Sequence, residues 1–137
     1  MGRCAARYAH EPANSREAGS ENSPGAAMNN IFRIPSSAAA GSDEFFETLL
    51  QGGGNVRVER IISHGQTTPE NSWYDQEQDE WVIVLQGHAA IAFAGGEEIS
   101  LAQGDHLLLP RHVLHRVTRT SSPCVWLAVF GDSLAKA

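Results

Sequence analysis

Cysteine is scarce in this chain of 137 residues: only Cys4 and Cys124 are thiols. Cys4 lies in a polar stretch and Cys124 in an apolar, strand-like run, so no bridge between them is expected. That usage argues against a disulfide-built secreted fold, and Cys124 reads as a small buried hydrophobe. Basic charge is also short. Lys and Arg number 10 against 16 Asp and Glu, giving a formal net charge of −6 and a pI of about 5.4. Arg3, Arg7 and Arg16 offset Glu11, Glu17 and Glu21, so the excess acid belongs to residues 28–137. An acidic domain without a basic stripe argues against nucleic acid and anionic membrane as partners. No apolar run is long enough to span a bilayer, and the N-terminal stretch lacks the apolar core of a secretory signal. A soluble cytoplasmic protein is the expectation. Phosphate-binding Gly-rich loops, G-x-S-x-G, H-E-x-x-H and C-x-x-C are absent as well, which narrows the available chemistry.

What is present divides into three parts. The length suits one domain, large enough to bury a core without staples. Residues 1–27 are rich in Ala, Ser, Gly, Asn and Glu and lack aliphatic side chains. Such a segment cannot offset its ordering entropy, so a disordered tail or leader is expected, with a natural start at Met28. Residues 28–54 form an N-terminal arm. Within it Ser42, Asp43, Glu44, Phe46 and Leu50 predict a short capped helix, with acids in the first turn and two apolar residues four apart. Gly52-Gly53-Gly54 would end it.

From Asn55 the period changes to two. Val56, Val58 and Ile62 alternate with Arg57, Glu59 and Ile61. Strand-like runs follow at 80–86, 88–94, 97–102, 105–109, 113–119 and 124–130. Gly87, Gly95-Gly96, Gln103-Gly104, Pro110 and Ser121-Ser122-Pro123 separate them. Many short strands at regular spacing indicate an all-β sandwich or barrel over residues 55–137. Runs 80–86 and 124–130 are apolar on both faces. Trp81, Trp126 and Phe130 therefore belong to the core or to a subunit interface.

Two segments carry a family resemblance. Glu80 and Gly87, in Glu80-Trp81-Val82-Ile83-Val84-Leu85-Gln86-Gly87, fit an E-x6-G spacing. Gly104, Pro110 and His115 fit G-x5-P-x-G-x2-H, with His112 at its inner glycine position. The chain thus resembles the small single-domain bacterial cupins. The resemblance implies a double-stranded β-helix, or jelly-roll barrel, often paired as a homodimer and often holding one metal ion. The two histidines of the family's first motif are missing, and Tyr74 and Gln76 stand in their places.

Strand alternation puts Glu80 on the face of Val82 and Val84, and His115 on the face of Val117, so both should point into the barrel. A carboxylate and an imidazole converging there could begin a metal site. The resemblance extends a ligand role to Glu80 and His115, with Gln76 in a third position. The implied ion is a single divalent metal, Mn, Fe, Ni or Zn, and a metal-free hydrogen-bonded cluster is the equal alternative. Tyr74 and His112 are the proton-transfer candidates. Trp73, Tyr74 and Arg111 are the substrate-contact candidates, through stacking and carboxylate binding. His64 and His106 are weaker additions to the set, and Arg111, Arg116 and Arg119 could instead pair with the acids Asp75, Glu77, Asp79 and Glu80. The expected function is small-molecule binding at a barrel mouth, with or without catalysis.

Overall fold

A computed structural model describes residues 29–38, 41 and 43–137. The expected disordered tail of residues 1–27 lies outside the described residues, as does Ser42. Eight strands follow in order: β1 (Phe45–Gln51), β2 (Arg57–Ser63), β3 (Asp79–Gln86), β4 (Ala89–Phe93), β5 (Glu98–Leu101), β6 (His106–Leu109), β7 (His115–Thr120) and β8 (Cys124–Gly131). They form a five-stranded sheet, β1-β2-β8-β3-β6, and a three-stranded sheet, β5-β4-β7, with every pairing antiparallel. The two sheets enclose one core in a jelly-roll barrel. Each strand-like run from residue 80 onward has its counterpart.

The helix expected over 43–50 is not formed, and the segment is β1. A helix would set Phe46 and Leu50 on one buried face. In the structure Phe46 packs against the core while Leu50 is 63% exposed. β1 pairs with β2 in the register Phe45↔Ile62, Phe46↔Ile61 and Glu47↔Arg60, with a bulge between Thr48 and Leu50. Tertiary pairing along an available sheet edge thus overrides a local pattern with one helical turn of support. The triple glycine serves a turn between β1 and β2, where Gly54 and Asn55 both take positive φ. Only single 3-10 turns, Ser36–Ala38 and Gly53–Asn55, are helical among the described residues.

The core comprises Ile61 from β2, Val82 and Val84 from β3, Ala89 and Ile91 from β4, Val117 from β7, and Trp126, Ala128 and Phe130 from β8, with Tyr74 joining from a loop. Each large apolar side chain so buried contributes about 1.5–3 kcal/mol. Trp126 and Phe130 are therefore core residues, whereas Trp81 is half-buried on the opposite face of β3. The arm is fastened outside this sheet. Arg60 donates to Glu47 at 2.6 Å and to the carbonyls of Ile31 and Arg33, each at 2.9 Å. His64 Nε2 lies 2.8 Å from the carbonyl oxygen of Ala38.

Three turn features fix the barrel's corners. Gly87 has φ +87°, and a Cβ there would lie 2.6 Å from the Pro123 carbonyl oxygen and collide with Ser121 Oγ. Gly104 has φ +90° with open space around it. Asp79 binds two chain segments at once: Oδ1 accepts from the Arg111 N–H at 2.8 Å and Oδ2 from the Leu134 N–H at 2.9 Å. These two bonds, the Arg111 one foremost, hold the Asp79 carboxyl below its ordinary value of 3.8.

Gly87→Ala should lose about 2–4 kcal/mol, because left-handed strain adds to a backbone collision. Gly104→Ala should lose only the strain, about 1–2 kcal/mol. Urea unfolding of both variants measures the contrast, and equal losses would remove the close-approach role of Gly87. For Asp79 the folded value lies below the unfolded one. Its contribution is therefore complete above the unfolded pKa and is lost as pH falls through the folded value, below 3.8. Asp79→Asn should melt lower than the parent at neutral pH, and the gap should close in acid. A gap that holds constant down to the acid limb would contradict this.

Candidate functional site

The site grows from the inward face of the larger sheet. Directly opposed residues on neighbouring strands point to the same side. Arg57 opposes Phe130, and Phe130 opposes Glu80. The next inward row is Glu59, Ala128 and Val82, and the next is Ile61, Trp126 and Val84. Glu80 thus faces inward as alternation required, and its side chain is fully buried.

The other wall comes from residues 74–76. Tyr74 pairs backbone to backbone with His115: the Tyr74 N–H donates to the His115 carbonyl at 2.7 Å and the His115 N–H to the Tyr74 carbonyl at 3.3 Å. The Gln76 carbonyl accepts from the His112 N–H at 2.9 Å. This short pairing lays the loop along the start of β7 and carries Tyr74 and Gln76 indoors. Tyr74, Gln76, Glu80 and His115 are each at most 1% exposed.

Within this group Gln76 Nε2 donates to Glu80 Oε1 at 2.9 Å. A carboxylate only accepts, so the amide nitrogen must face it, and Gln76 Oε1 is left with no hydrogen bond among the described residues. His115 Nδ1 lies 3.0 Å from the Val113 carbonyl oxygen. A carbonyl also only accepts, so Nδ1 carries a proton in this bond. The Tyr74 and His115 rings sit 5.3 Å apart, and Phe93 lies 6.5 Å from His115 on the far side.

The structure therefore brings Tyr74, Gln76, Glu80 and His115 into one interior, and sets three other candidates outside it. His112 takes the positive φ (+60°) of the motif's glycine position, and its exposed ring binds Asp75 at 2.8 Å with Glu77 at 3.6 Å. The Arg111 guanidinium donates to the Asp132 carbonyl and lies 4.0 Å from Asp79. Trp73 is half-buried under Arg116, whose guanidinium carbon is 5.2 Å from the ring centroid. His106 is exposed, 5.4 Å from the Trp81 ring on the outer face. His64 is held by the arm and by Ser122. Arg116 and Arg119 bond to the Glu70 carbonyl and Ser100 rather than to the acids.

Two interior residues went unrecognised in the sequence. Arg57 and Glu59 form an ion pair at 3.6 Å with side chains 7% and 5% exposed. Arg57 also stacks on Phe130, its guanidinium carbon 4.4 Å from the centroid. The available sign was parity: both residues alternate in step with Ile61, which is core. Cys124 is buried, and desolvation pushes its thiol up to about 12, which disfavours the thiolate.

Comparison with known proteins agrees with this architecture. Residues 58–130 match the family described as Cupin domain, and the chain belongs to it. A solved protein from Ralstonia eutropha JMP134, provisionally named a mannose-6-phosphate isomerase, is 41% identical. It superposes with a TM-score of 0.69, and the match covers 78% of this chain and 99% of that one. An RmlC-like cupin from Desulfovibrio desulfuricans is 17% identical with a TM-score of 0.59, covering 79% and 97% of the two chains. The DMSP lyase DddQ from Ruegeria pomeroyi DSS-3 is 20% identical with a TM-score of 0.56, covering 77% and 57%. The last two share the fold. No curated protein matches the chain.

The donor set can be tested against the metal that cupins often hold. Among the described residues no three His, Cys, Asp or Glu side chains group as ligands would. The strong donors inside are one imidazole and one carboxyl. The third position is an amide whose N–H end already faces the carboxyl. Three strong protein ligands are the usual minimum for a tightly held transition metal, and this interior falls short of that.

Proposed function

We propose that this chain is a small-molecule-binding cupin whose interior site is built on Gln76, Glu80 and His115, with Tyr74 beside them. The orphaned amide oxygen of Gln76 carries the reading. A buried acceptor without a partner costs about 1–3 kcal/mol, and a ligand that donates a hydrogen bond there removes the cost. Small polar molecules bearing a hydroxyl or an N–H meet that need, since Gln76 Oε1 accepts and the surrounding carboxyl and imidazole orient. On this reading the site holds no resident transition metal, because Gln76 engages the carboxyl that a metal would require. The mannose-6-phosphate named for the Ralstonia protein is likewise a hydroxyl-bearing polar molecule.

A second reading has one observation in its favour. His115 has its Nδ1–H fixed on a backbone carbonyl, the arrangement that metal-binding histidines adopt. In that case Gln76, Glu80 and His115 would hold one divalent ion, Mn, Fe, Ni or Zn, which would supply Lewis acidity. Elemental analysis of untagged protein purified without chelators separates the two. The proposed reading expects little metal in the parent and in His115→Ala, and a thermal-shift hit among polar ligands that Glu80→Gln abolishes. Near-stoichiometric metal that falls in His115→Ala would establish the second reading instead.

We further propose a homodimer in a cytoplasmic setting. Trp81 opposes Leu108 on β6 and Val129 on β8, giving an apolar outer patch beside a groove of about 860 Å³ that the C-terminal residues 133–137 also line. A face of this kind is a candidate for sheet-on-sheet pairing. Among the described residues no helix is long and apolar enough to cross a membrane. Sedimentation should give a dimer for the parent and a monomer for Trp81→Glu. A parent that stays monomeric at micromolar concentration removes the dimer.

A further inference from the structure

A second concavity opens where β1 ends and β2 begins. It measures about 420 Å³, within the range of small-molecule sites, and Gln51, Asn55, Arg57, Gln78 and Asp132 line it. Its chemistry differs from both the barrel core and the outer groove. Two side-chain amides converge on one carboxylate: Asn55 Nδ2 donates to Asp132 Oδ2 at 3.0 Å, and Gln78 Nε2 to Asp132 Oδ1 at 3.0 Å. Gln78 Nε2 also donates to the Asn55 carbonyl at 2.8 Å. These bonds, Asn55 first, hold the Asp132 carboxyl below its ordinary value. The carboxylate is therefore fixed in orientation and charge.

Arg57 also lines the bowl, buried, with Glu59 at 3.6 Å and the Phe130 ring centroid 4.4 Å from its guanidinium. A guanidinium fixed on two sides presents donors in one plane. The bowl thus combines a guanidinium and a carboxylate in its lining, with the carboxamide of Gln51 at its exposed edge. Acceptors and donors arranged in this way match adjacent hydroxyl groups, each of which both donates and accepts. Ions fit less well. Asp132 repels an anion, and its two oxygens already accept from two amides with the Arg111 charge nearby.

We infer that this bowl is a binding site for a neutral polyhydroxylated molecule of about monosaccharide size. Asp132 and Gln51 take its hydroxyls and Arg57 donates from the wall. The site is separate from Gln76 and Glu80. Arg57 and Glu80 share one inward row, but Phe130 stands between them, two strand spacings or about 9–10 Å across.

The test is an NMR titration of the ¹⁵N-labelled full chain with D-glucose, D-mannose, D-xylose and myo-inositol, reading the side-chain amide signals of Gln51 and Asn55. Saturable shifts with at least one of the four, in the millimolar range usual for small neutral ligands, are expected. Asp132→Asn should weaken binding by about tenfold, since a charge-assisted hydrogen bond is lost. Gln51→Ala changes an exposed side chain, so a retained native spectrum is expected beside weaker binding. Glu80→Gln should bind as the parent does. No saturable shift with any probe, parent-like affinity in both bowl variants, or a stronger response to inorganic phosphate would overturn the proposal. Loss of binding in Glu80→Gln would move the ligand to the interior and overturn it as well.

Discussion

Strand β8 sets the position of every inward side chain of the larger sheet. It pairs with β2 over seven consecutive residues, Arg57↔Phe130 through Ser63↔Cys124, and with β3 from Asp79↔Gly131 to Val84↔Trp126 before a bulge near Gln86. Because the side-chain period is two, a slip of one residue would exchange the two faces. Glu80 would turn outward and Trp81 would enter the core. The register is held by what lies inside. Trp126, Ala128 and Phe130 fill the barrel in alternation, and Gly87 permits the close approach of the β3–β4 turn to Pro123 just before β8 begins. The polar residues at the barrel's end are thus positioned by hydrophobic packing several residues away.

The interior is unusual in how much polarity it tolerates. Arg57, Glu59, Gln76, Glu80 and His115 are all buried in a domain with few residues to spare. Burying such groups costs several kcal/mol unless they are paired. Part of that cost is met locally: Arg57 by Glu59 and the Phe130 face, Glu80 by the Gln76 amide, His115 by the Val113 carbonyl. A leucine or valine at these positions would pack without such arrangements. Polar groups retained in a space that apolar residues could fill support the site proposed above.

The sequence made some of this legible and hid the rest for identifiable reasons. The strands from residue 80 onward were readable because Gly and Pro punctuate them and apolar residues fill them. Glu80 and His115 were placed correctly inside by parity with Val82, Val84 and Val117. The segment 43–50 misled because four-residue spacing of two apolar side chains is weak support for a helix, and the free edge of β2 was invisible in one dimension. Arg57 and Glu59 were passed over because charge on a strand is ordinarily read as solvent-facing. Arg111 and His112 lie beside a family motif in sequence, but a tight turn at His112 sends both side chains outward. Proximity in sequence to a conserved-looking spacing says little about direction once a residue takes positive φ.

The pairing of Gln76 with Glu80 is the contact on which the proposed reading of the interior turns. A histidine at that place could turn a ring lone pair toward a cation shared with the glutamate. An amide is a weaker ligand. Its N–H end is a donor, so Gln76 and Glu80 attract each other directly at 2.9 Å. The pair is then stable without an ion, and the amide's other end becomes an acceptor facing the interior. This direct pairing is what supports the proposed reading of a site for hydrogen-bond donors over the metal-holding alternative. The same logic recurs outside, where Asn55 and Gln78 hold Asp132 with their N–H groups. In both places amide N–H groups hold a carboxyl, the feature on which the proposed binding of neutral polar molecules rests.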